Sequence, residues 1–148
     1  MKVYGTFTIA LFILLGLNLQ AQVVSANITV QQADSLIQAR ALDADLVILD
    51  IRTDMEFNAG HLENAIQINF LKRTGKLKMW KLDRSKAYII YCRSGKRSQT
   101  ALDMMKQRKF KEVYNMLGGI KSWTKEGYAV VKEEFEDVEF EKGRKIKK

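Results

Sequence analysis

Short apolar runs alternate with segments of helical periodicity along most of this chain, and the alternation predicts its fold. The runs with the composition of strands are 27–30, 46–50, 65–70, 88–91 and 112–117. The first of them is alternatively an extended lead-in to the domain. Segments with helical spacing lie between the runs: 32–42, a short one carrying Met55–Phe57, 71–82, one containing Ala101–Met105, and one holding Ile120 and Trp123. This order predicts a single α/β domain with a central parallel sheet of about five strands flanked by helices.

Individual side chains in these elements carry more specific expectations. The continuous apolar run 46–50 is typical of a parallel strand buried on both faces. Thr53 is suited to cap the short helix that follows it. In the basic segment 71–82, Leu77 and Trp80 are expected to reach the core. Three methionines are expected to fill core space: Met104, Met105 and Met116.

The composition indicates one globular domain with a sizeable core. The chain has 148 residues, of which 47% are hydrophobic and 28% charged. Its formal net charge of +8 is compatible with three classes of binding partner: nucleic acid, an acidic surface or small anions. Nucleic acid is disfavoured, because no basic block interleaved with aromatic residues is present. The single cysteine excludes an internal disulfide and a cysteine-rich zinc site.

The N-terminus has the plan of a secretory signal peptide over residues 1–21. A positively charged start precedes an apolar run from Phe7 to Leu17, which is too short to span a bilayer comfortably. Cleavage is expected after Ala21, with cleavage after Ala26 as the fallback. An uncleaved membrane anchor is the alternative. The mature protein is therefore expected to be exported, in a bacterium to the periplasm, with no membrane span left after processing.

The C-terminal residues differ in composition from the rest of the chain. The globular domain is expected to occupy 27–130, and 131–148 form a charged extension. Six acidic residues within 133–141 are followed by five basic residues within 142–148. The two halves of the extension are expected to pair with each other or with the domain, or to form a solvated terminus.

The only cysteine, Cys92, stands where the strand 88–91 ends and a helix begins. The first turn of a helix offers unpaired backbone N–H groups and the positive end of the helix dipole, and both stabilise a thiolate. Arg93, Lys96 and Arg97 add positive charge, although such charge opposes the dipole. Their presence therefore indicates an anionic ligand beside a sulfur nucleophile. The alternative is an ordinary core cysteine next to a solvated helix start.

The segment 92–98, Cys-Arg-Ser-Gly-Lys-Arg-Ser, resembles the active-site loop of the rhodanese (thiosulfate sulfurtransferase) family. Other segments resemble the family in the same order: 88–91 and Ala101 around the loop, Leu49-Asp50-Ile51-Arg52, Glu56-Phe57 and Gly60-His61-Leu62 upstream, and Leu117-Gly118-Gly119-Ile120 with Trp123 downstream. The resemblance covers about residues 27–130. One departure is Glu63-Asn64, where the family usually has Pro-Gly, and it concerns the rigidity of one turn.

The resemblance implies a sulfurtransferase that works by double displacement. The Cys92 thiolate would attack the outer sulfur of thiosulfate or a similar sulfane donor and form a persulfide. The sulfur would pass to a thiol, to cyanide or to a sulfur-carrier protein, all outside the chain because no second cysteine is present. No metal and no organic cofactor is required. The residues expected to bind the donor are Arg93, Ser94, Gly95, Lys96 and Arg97.

Three further polar residues are expected to support the loop: Asp50, Arg52 and Ser98. Asp50 ends a strand and is therefore expected at the same sheet edge as Cys92. A carboxylate beside the nucleophile would repel an anionic donor, so Asp50 is expected to hold Arg52 in place instead. For His61, the only histidine, the resemblance implies a structural role, and a Cys–His pair is the alternative.

Two other functions stay open at the level of the sequence. A phosphatase or arsenate reductase of a related fold uses a Cys-x5-Arg loop, but Ser98 stands here at the place of that arginine. The shorter loop favours transfer of sulfur over transfer of a phosphoryl group. The second alternative is a non-catalytic rhodanese-like module that binds a partner or delivers sulfur. Loss of the cysteine is the usual sign of such a module, and Cys92 is present.

Overall fold

The computed structural model describes residues 23–132, in which five strands alternate with five helices. The strands are β1 (Val24–Ile28), β2 (Leu46–Asp50), β3 (Ile66–Gln67), β4 (Ala87–Tyr91) and β5 (Glu112–Met116). The helices are α1 (Val30–Ala39), α2 (Asp54–Asn58), α3 (Arg73–Trp80), α4 (Lys96–Gln107) and α5 (Gly119–Lys125). The predicted α/β class is confirmed.

The five strands form one parallel sheet, as the sequence predicts, and their order in it is β1-β5-β4-β2-β3. All five residues of the central strand β4 are buried, which explains its unbroken run of apolar and aromatic residues. The register of β2 against β4 pairs Asp50 with Tyr91. Cys92, the next residue, therefore lies at the same carboxyl edge as Asp50, where open α/β sheets bind their ligands.

Helices cover both faces of the sheet, and the alternation of side chains in β4 divides the core into two clusters. Tyr88 and Ile90 pack with residues of α3 and α4, and Cys92 belongs to the same cluster. Ile89 and Tyr91 pack on the opposite face with residues of α1 and α5. The methionines fill core space as predicted: Met105 and Met116 are fully buried, and Met104 is partly buried against the first cluster.

The N-terminal strand lies earlier in the chain than the sequence pattern predicts. β1 ends at Ile28, so the predicted strand 27–30 is wrong in its second half. Thr29 instead caps α1, because its hydroxyl accepts from the backbone N–H of Gln32 while the Gln32 side chain accepts from the N–H of Thr29. The helix therefore begins at Val30. Thr29 and Val30 are both β-branched, which is typical of a strand, but Thr29 caps the helix and Val30 begins it.

The basic helix α3 does not turn Leu77 and Trp80 into the core, which corrects the prediction for this segment. Leu77 is 43% exposed and Trp80 is 39% exposed, whereas Gly75 and Met79 are buried. Gly75 approaches the backbone of Asn69 so closely that an added Cβ would lie 1.8 Å from its carbonyl oxygen. This close approach selects which face of α3 turns inward.

The edge strand β3 is shorter than the predicted strand 65–70, and it consists of Ile66–Gln67. The backbone N–H of Ile68 still donates to the carbonyl of Asp50 at 2.8 Å, and the N–H of Phe70 donates to the carbonyl of Ile51 at 3.3 Å. The chain therefore continues beside the end of β2 for two more bonds. The preceding turn places Asn64 at φ +59, a left-handed conformation that asparagine adopts more readily than most residues. The turn is thus made without the Pro-Gly pair that the resemblance leads one to expect.

Two predicted segments fall outside the described residues. They are the signal peptide 1–21 and, apart from its first two residues, the extension 131–148. Val131 forms an antiparallel bridge with His61, through backbone bonds of 2.9 and 2.8 Å. No helix within 23–132 has the length and hydropathy needed to cross a membrane.

Candidate active site

The loop of residues 92–98, called the cysteine loop below, connects β4 to the first turn of α4. Gly95 caps α4 with a left-handed φ of +84, which favours glycine. A Cβ at Gly95 would lie 3.0 Å from the backbone nitrogen of Gly118. Glycine at this position therefore permits both the turn and its close packing against the connection between β5 and α5.

A second glycine turn fixes the backbone of the cysteine loop from the side of α5. Gly119 has a φ of +56, and a Cβ there would lie 2.2 Å from the carbonyl oxygen of Cys92. The N–H of Ile120 donates to the Cys92 carbonyl at 3.0 Å, and the N–H of Lys121 donates to the Arg93 carbonyl at 3.1 Å. These bonds hold the first two loop carbonyls toward α5.

The Cys92 sulfur is surrounded by hydrogen-bond donors from the loop and the start of α4. The Ser98 hydroxyl lies 3.5 Å from the sulfur and also reaches the Gly95 carbonyl at 3.1 Å. Burial raises the pKa of the Cys92 thiol, but the Ser98 hydroxyl and the backbone N–H groups of Ser98, Ser94 and Arg97 together lower it by more. The pKa therefore lies below its ordinary value, and the site favours the reactive thiolate.

The reactive sulfur is covered rather than open to solvent. Cys92 is only 1% exposed, whereas Arg93, Ser94 and Lys96 on the same loop are exposed. Within residues 23–132, neither Arg93 nor Lys96 forms an ion pair with a carboxylate. The sulfur is thus shielded by its surroundings, while two cations without an ion pair among the described residues stand at the exposed part of the loop.

The third cation of the loop, Arg97, is already paired. Its Nη2 donates to Glu56 Oε1 at 2.6 Å and its Nη1 donates to Glu56 Oε2 at 3.0 Å. These bonds lower the pKa of Glu56 to about 2, with further bonds from Thr53 acting in the same direction against burial. The pKa of Arg97 is raised, chiefly by Glu56 and also by the adjacent Cys92 sulfur. Arg97 therefore connects α2 to the sulfur.

Glu56 is a site residue that the sequence analysis did not identify as such. Its place in the first turn of α2 was visible, and it forms a capping box with Thr53 through bonds of 3.0 and 3.3 Å. Its partner Arg97 is 41 positions away in the sequence. No local pattern signals such a pair, because it exists only once β2 and β4 have paired in the sheet.

Asp50 and Arg52 form a buried ion pair at the end of β2. Arg52 donates from Nε and Nη2 to the Asp50 carboxylate at 2.6 to 3.0 Å. Arg52 is 5% exposed and Asp50 is 0% exposed. Arg52 Nη2 also donates to the carbonyl of Gly60 at 2.7 Å. The pair thus ties the end of β2 to Gly60, two residues beyond the end of α2, the helix that carries Glu56.

The remaining candidate, His61, lies apart from the sulfur. Its Nδ1 is 3.1 Å from the carbonyl oxygen of Phe57, and its ring stacks on the Phe57 ring with centroids 3.7 Å apart. The structure gives it no hydrogen bond to Cys92. Within 23–132, no three histidine, cysteine, aspartate or glutamate side chains are grouped so that they could hold a metal ion.

A family model described as the Rhodanese-like domain matches residues 29–126, which contain the whole cysteine loop. The chain belongs to this family. The resemblance drawn from the sequence motifs is confirmed, and the matched range of the rhodanese-like chain runs from the cap of α1 to the end of α5.

Several curated relatives share this rhodanese-like domain. A sulfurtransferase of Allochromatium vinosum is 32% identical over 99 residues, which cover 67% of this chain and 91% of the relative. The thiosulfate sulfurtransferase GlpE of Coxiella burnetii is 32% identical over 79 residues, covering 53% of this chain and 72% of that enzyme. A tRNA uridine(34) hydroxylase of Citrobacter koseri is 35% identical over 82 residues, but they cover only 23% of its length.

Among solved structures, a rhodanese-related protein of Thermoplasma volcanium superimposes with a TM-score of 0.59 at 32% identity. The match covers 72% of this chain and 97% of the other. The same fold thus accounts for nearly all of that solved chain.

Proposed function

We propose that this protein is a single-domain sulfurtransferase that carries sulfane sulfur as a persulfide on Cys92. The observation that supports it most directly is the set of donors around that sulfur, which hold the pKa of the thiol below its ordinary value. The sulfurtransferase relatives, among them a thiosulfate sulfurtransferase, favour the same chemistry.

In the first half-reaction the Cys92 thiolate attacks the outer sulfur of thiosulfate or of a similar sulfane donor. The S–S bond of the donor breaks, sulfite leaves with the bonding electron pair, and Cys92 keeps the transferred sulfur as a persulfide. The exposed cations Arg93 and Lys96 attract the dianionic donor. The N–H groups of Ser94, Arg97 and Ser98, which bond the thiolate, stabilise the persulfide anion in the same way.

In the second half-reaction the thiolate of an acceptor, or cyanide, attacks the outer sulfur of the persulfide. The new S–S bond of the product forms as the Cys92–sulfur bond breaks, and the Cys92 thiolate is restored. The acceptor comes from outside the chain, because Cys92 is the only cysteine. An external small thiol, cyanide and a sulfur-carrier protein all satisfy this requirement.

The proposal is tested by mass spectrometry of the protein before and after incubation with thiosulfate. We expect the Cys92 peptide to gain one sulfur atom and to lose it again on addition of cyanide, while Cys92→Ser gains nothing. Hydrolysis of an aryl phosphate with no sulfur gain from thiosulfate would favour the phosphatase alternative. If neither reaction occurs and Cys92→Ser retains every partner of the wild type, the protein is a binding module.

Export through a cleaved signal peptide is part of the same proposal. Cleavage after Ala26 would remove Val24, Ser25 and Ala26, which pair with the edge of β5 from Glu112 onward. Cleavage after Ala21 leaves β1 intact and is therefore favoured on physical grounds. Mass spectrometry of the protein recovered from a periplasmic extract identifies the N-terminus, and recovery of the unprocessed chain in membranes would support the anchor instead.

A further inference from the structure

A cavity of about 380 Å³ adjoins the cysteine loop, between the segment that contains α2 and the outer side of α5. Ligand pockets for small molecules begin at roughly 300 Å³. Glu56, the ion-pair partner of Arg97, lines one wall of the cavity. Arg93, the residue after Cys92, lines another. The cavity thus borders the cysteine loop at Arg93, next to Cys92 in the sequence, although Cys92 itself is not among its lining residues.

The charges of the cavity leave it electropositive. Arg52 and Glu56 line it but are neutralised by Asp50 and Arg97, respectively. The other two charged lining residues are Arg93 and Lys121, and neither is in an ion pair within residues 23–132. The backbone bond between these two residues, 3.1 Å from the Lys121 nitrogen to the Arg93 oxygen, keeps both cations on the same wall.

The rest of the wall is mainly apolar. Ala59, Ile120 and Val130 contribute aliphatic surface. The Thr124 hydroxyl already donates a hydrogen bond to the carbonyl of Ile120 at 3.0 Å. Thiosulfate has no apolar part, so it gains nothing from the aliphatic wall. The cavity instead matches a molecule with a hydrocarbon part and one anionic end.

We propose that this cavity binds the sulfur acceptor, and that the acceptor is a small thiol carrying a carboxylate, with Lys121 and Arg93 binding the carboxylate. The inference rests on the proposed sulfurtransferase function and assigns it a substrate class. The acceptor thiol loses its proton to solvent, and its thiolate attacks the outer sulfur of the Cys92 persulfide. The Cys92–sulfur bond breaks, and the acceptor leaves as its own persulfide.

Three thiols that share the HS–CH2–CH2 unit test the assignment: 3-mercaptopropionate, 2-mercaptoethanol and cysteamine, which are anionic, neutral and cationic at the end remote from sulfur. The full chain is loaded with thiosulfate, and discharge of the Cys92 persulfide is followed at matched thiolate concentrations. We expect 3-mercaptopropionate to be preferred over 2-mercaptoethanol by about tenfold in kcat/KM, with cysteamine slowest. In Lys121→Gln the preference for the anionic thiol should fall about fivefold. The matched control Lys125→Gln, on the same helix but outside the cavity, should keep it.

Equal discharge by the three thiols, or equal effects of the two variants, would overturn the assignment while leaving the sulfurtransferase function intact. If thiosulfate loads no sulfur, the proposed function fails, and the cavity is tested by binding alone. For that purpose the unreactive thioether 3-(methylthio)propionate is titrated into labelled protein, with 2-(methylthio)ethanol as the neutral control. Amide shifts at Arg93, Ile120 and Lys121 with the carboxylate only would support an anion-binding cavity, and identical responses to the two thioethers would refute it.

Discussion

Arg97 follows Cys92 by five positions, and its guanidinium donates two hydrogen bonds to Glu56, at 2.6 and 3.0 Å. The positive charge nearest to the sulfur is thus balanced by a carboxylate on α2. The thiolate is stabilised chiefly by directed donors, namely the Ser98 hydroxyl and the N–H groups of the loop. In the proposed reaction, the exposed cations Arg93 and Lys96 attract the anionic donor.

The Glu56–Arg97 pair makes stability depend on pH in acid. The pKa of Glu56 is lowered from 4.5 to about 2 in the folded protein, so its contribution is present above pH 4.5 and is lost as the pH falls toward 2. We expect Glu56→Gln, which keeps the capping box, to lower the free energy of unfolding at neutral pH by about 2 kcal/mol. Urea unfolding should show this difference shrinking between pH 4.5 and 2. The exposed Glu63→Gln serves as the control, and a difference independent of pH would contradict the assignment.

The Ser98 hydroxyl is expected to help keep Cys92 ionised. Ser98→Ala removes the donor 3.5 Å from the sulfur without adding volume, so the pKa of the thiol should rise. Alkylation by iodoacetamide, measured against pH, should show a titration shifted to higher pH and a rate at neutral pH that is lower by roughly threefold to tenfold. Ser85→Ala, a serine in an exposed turn, is the control. An unshifted profile would mean that the backbone donors suffice.

The sheet and its carboxyl edge could be predicted because their signals are local. The apolar runs ending at Asp50 and Tyr91 form β2, whose last three residues are buried, and β4, which is buried throughout. A parallel sheet brings the carboxyl ends of its strands to one edge. The orientation of α3 could not be predicted, because tertiary contacts decide it. Trp80 was expected in the core from its size and spacing, but the close approach of Gly75 to another backbone segment turns the opposite face of α3 inward.

The same distinction applies to the candidate site. Cys92 and its neighbours in the loop were found from adjacent positions in the sequence. Glu56 and Lys121 were missed as site residues because they contact the loop from distant segments. Glu56 pairs with the Arg97 side chain, and the backbone N–H of Lys121 donates to the Arg93 carbonyl. Composition and periodicity carry no information about such contacts between distant segments.

Gly119 is expected to be required for the shape of the cysteine loop as well as for its own turn. Gly119→Ala strains a φ of +56 and places a Cβ 2.2 Å from the Cys92 carbonyl, so it should displace the loop and raise the pKa of the thiol. Gly127→Ala is a matched control, because its φ is +86 but nothing lies within 4 Å of the added Cβ. We expect about 1 kcal/mol of destabilisation for the control and at least about 2 kcal/mol more for Gly119→Ala. Equal losses in urea unfolding would show that only the turn conformation matters.

The Asp50–Arg52 pair should matter for stability because it is buried. Asp50→Asn leaves the Arg52 guanidinium, 5% exposed, without its counter-charge, and we expect it to cost about 3 kcal/mol or more in urea unfolding. Asp54→Asn makes the same chemical change in a pair that is equally short, 2.6 Å to Lys72, but whose side chains are both 58% exposed. That control should cost much less, because solvent screens an exposed pair. Replacing Arg52 with methionine in the Asp50→Asn background should restore part of the lost free energy of unfolding, because it removes the unpaired charge. No recovery would mean that the hydrogen bond from Arg52 to Gly60 matters more.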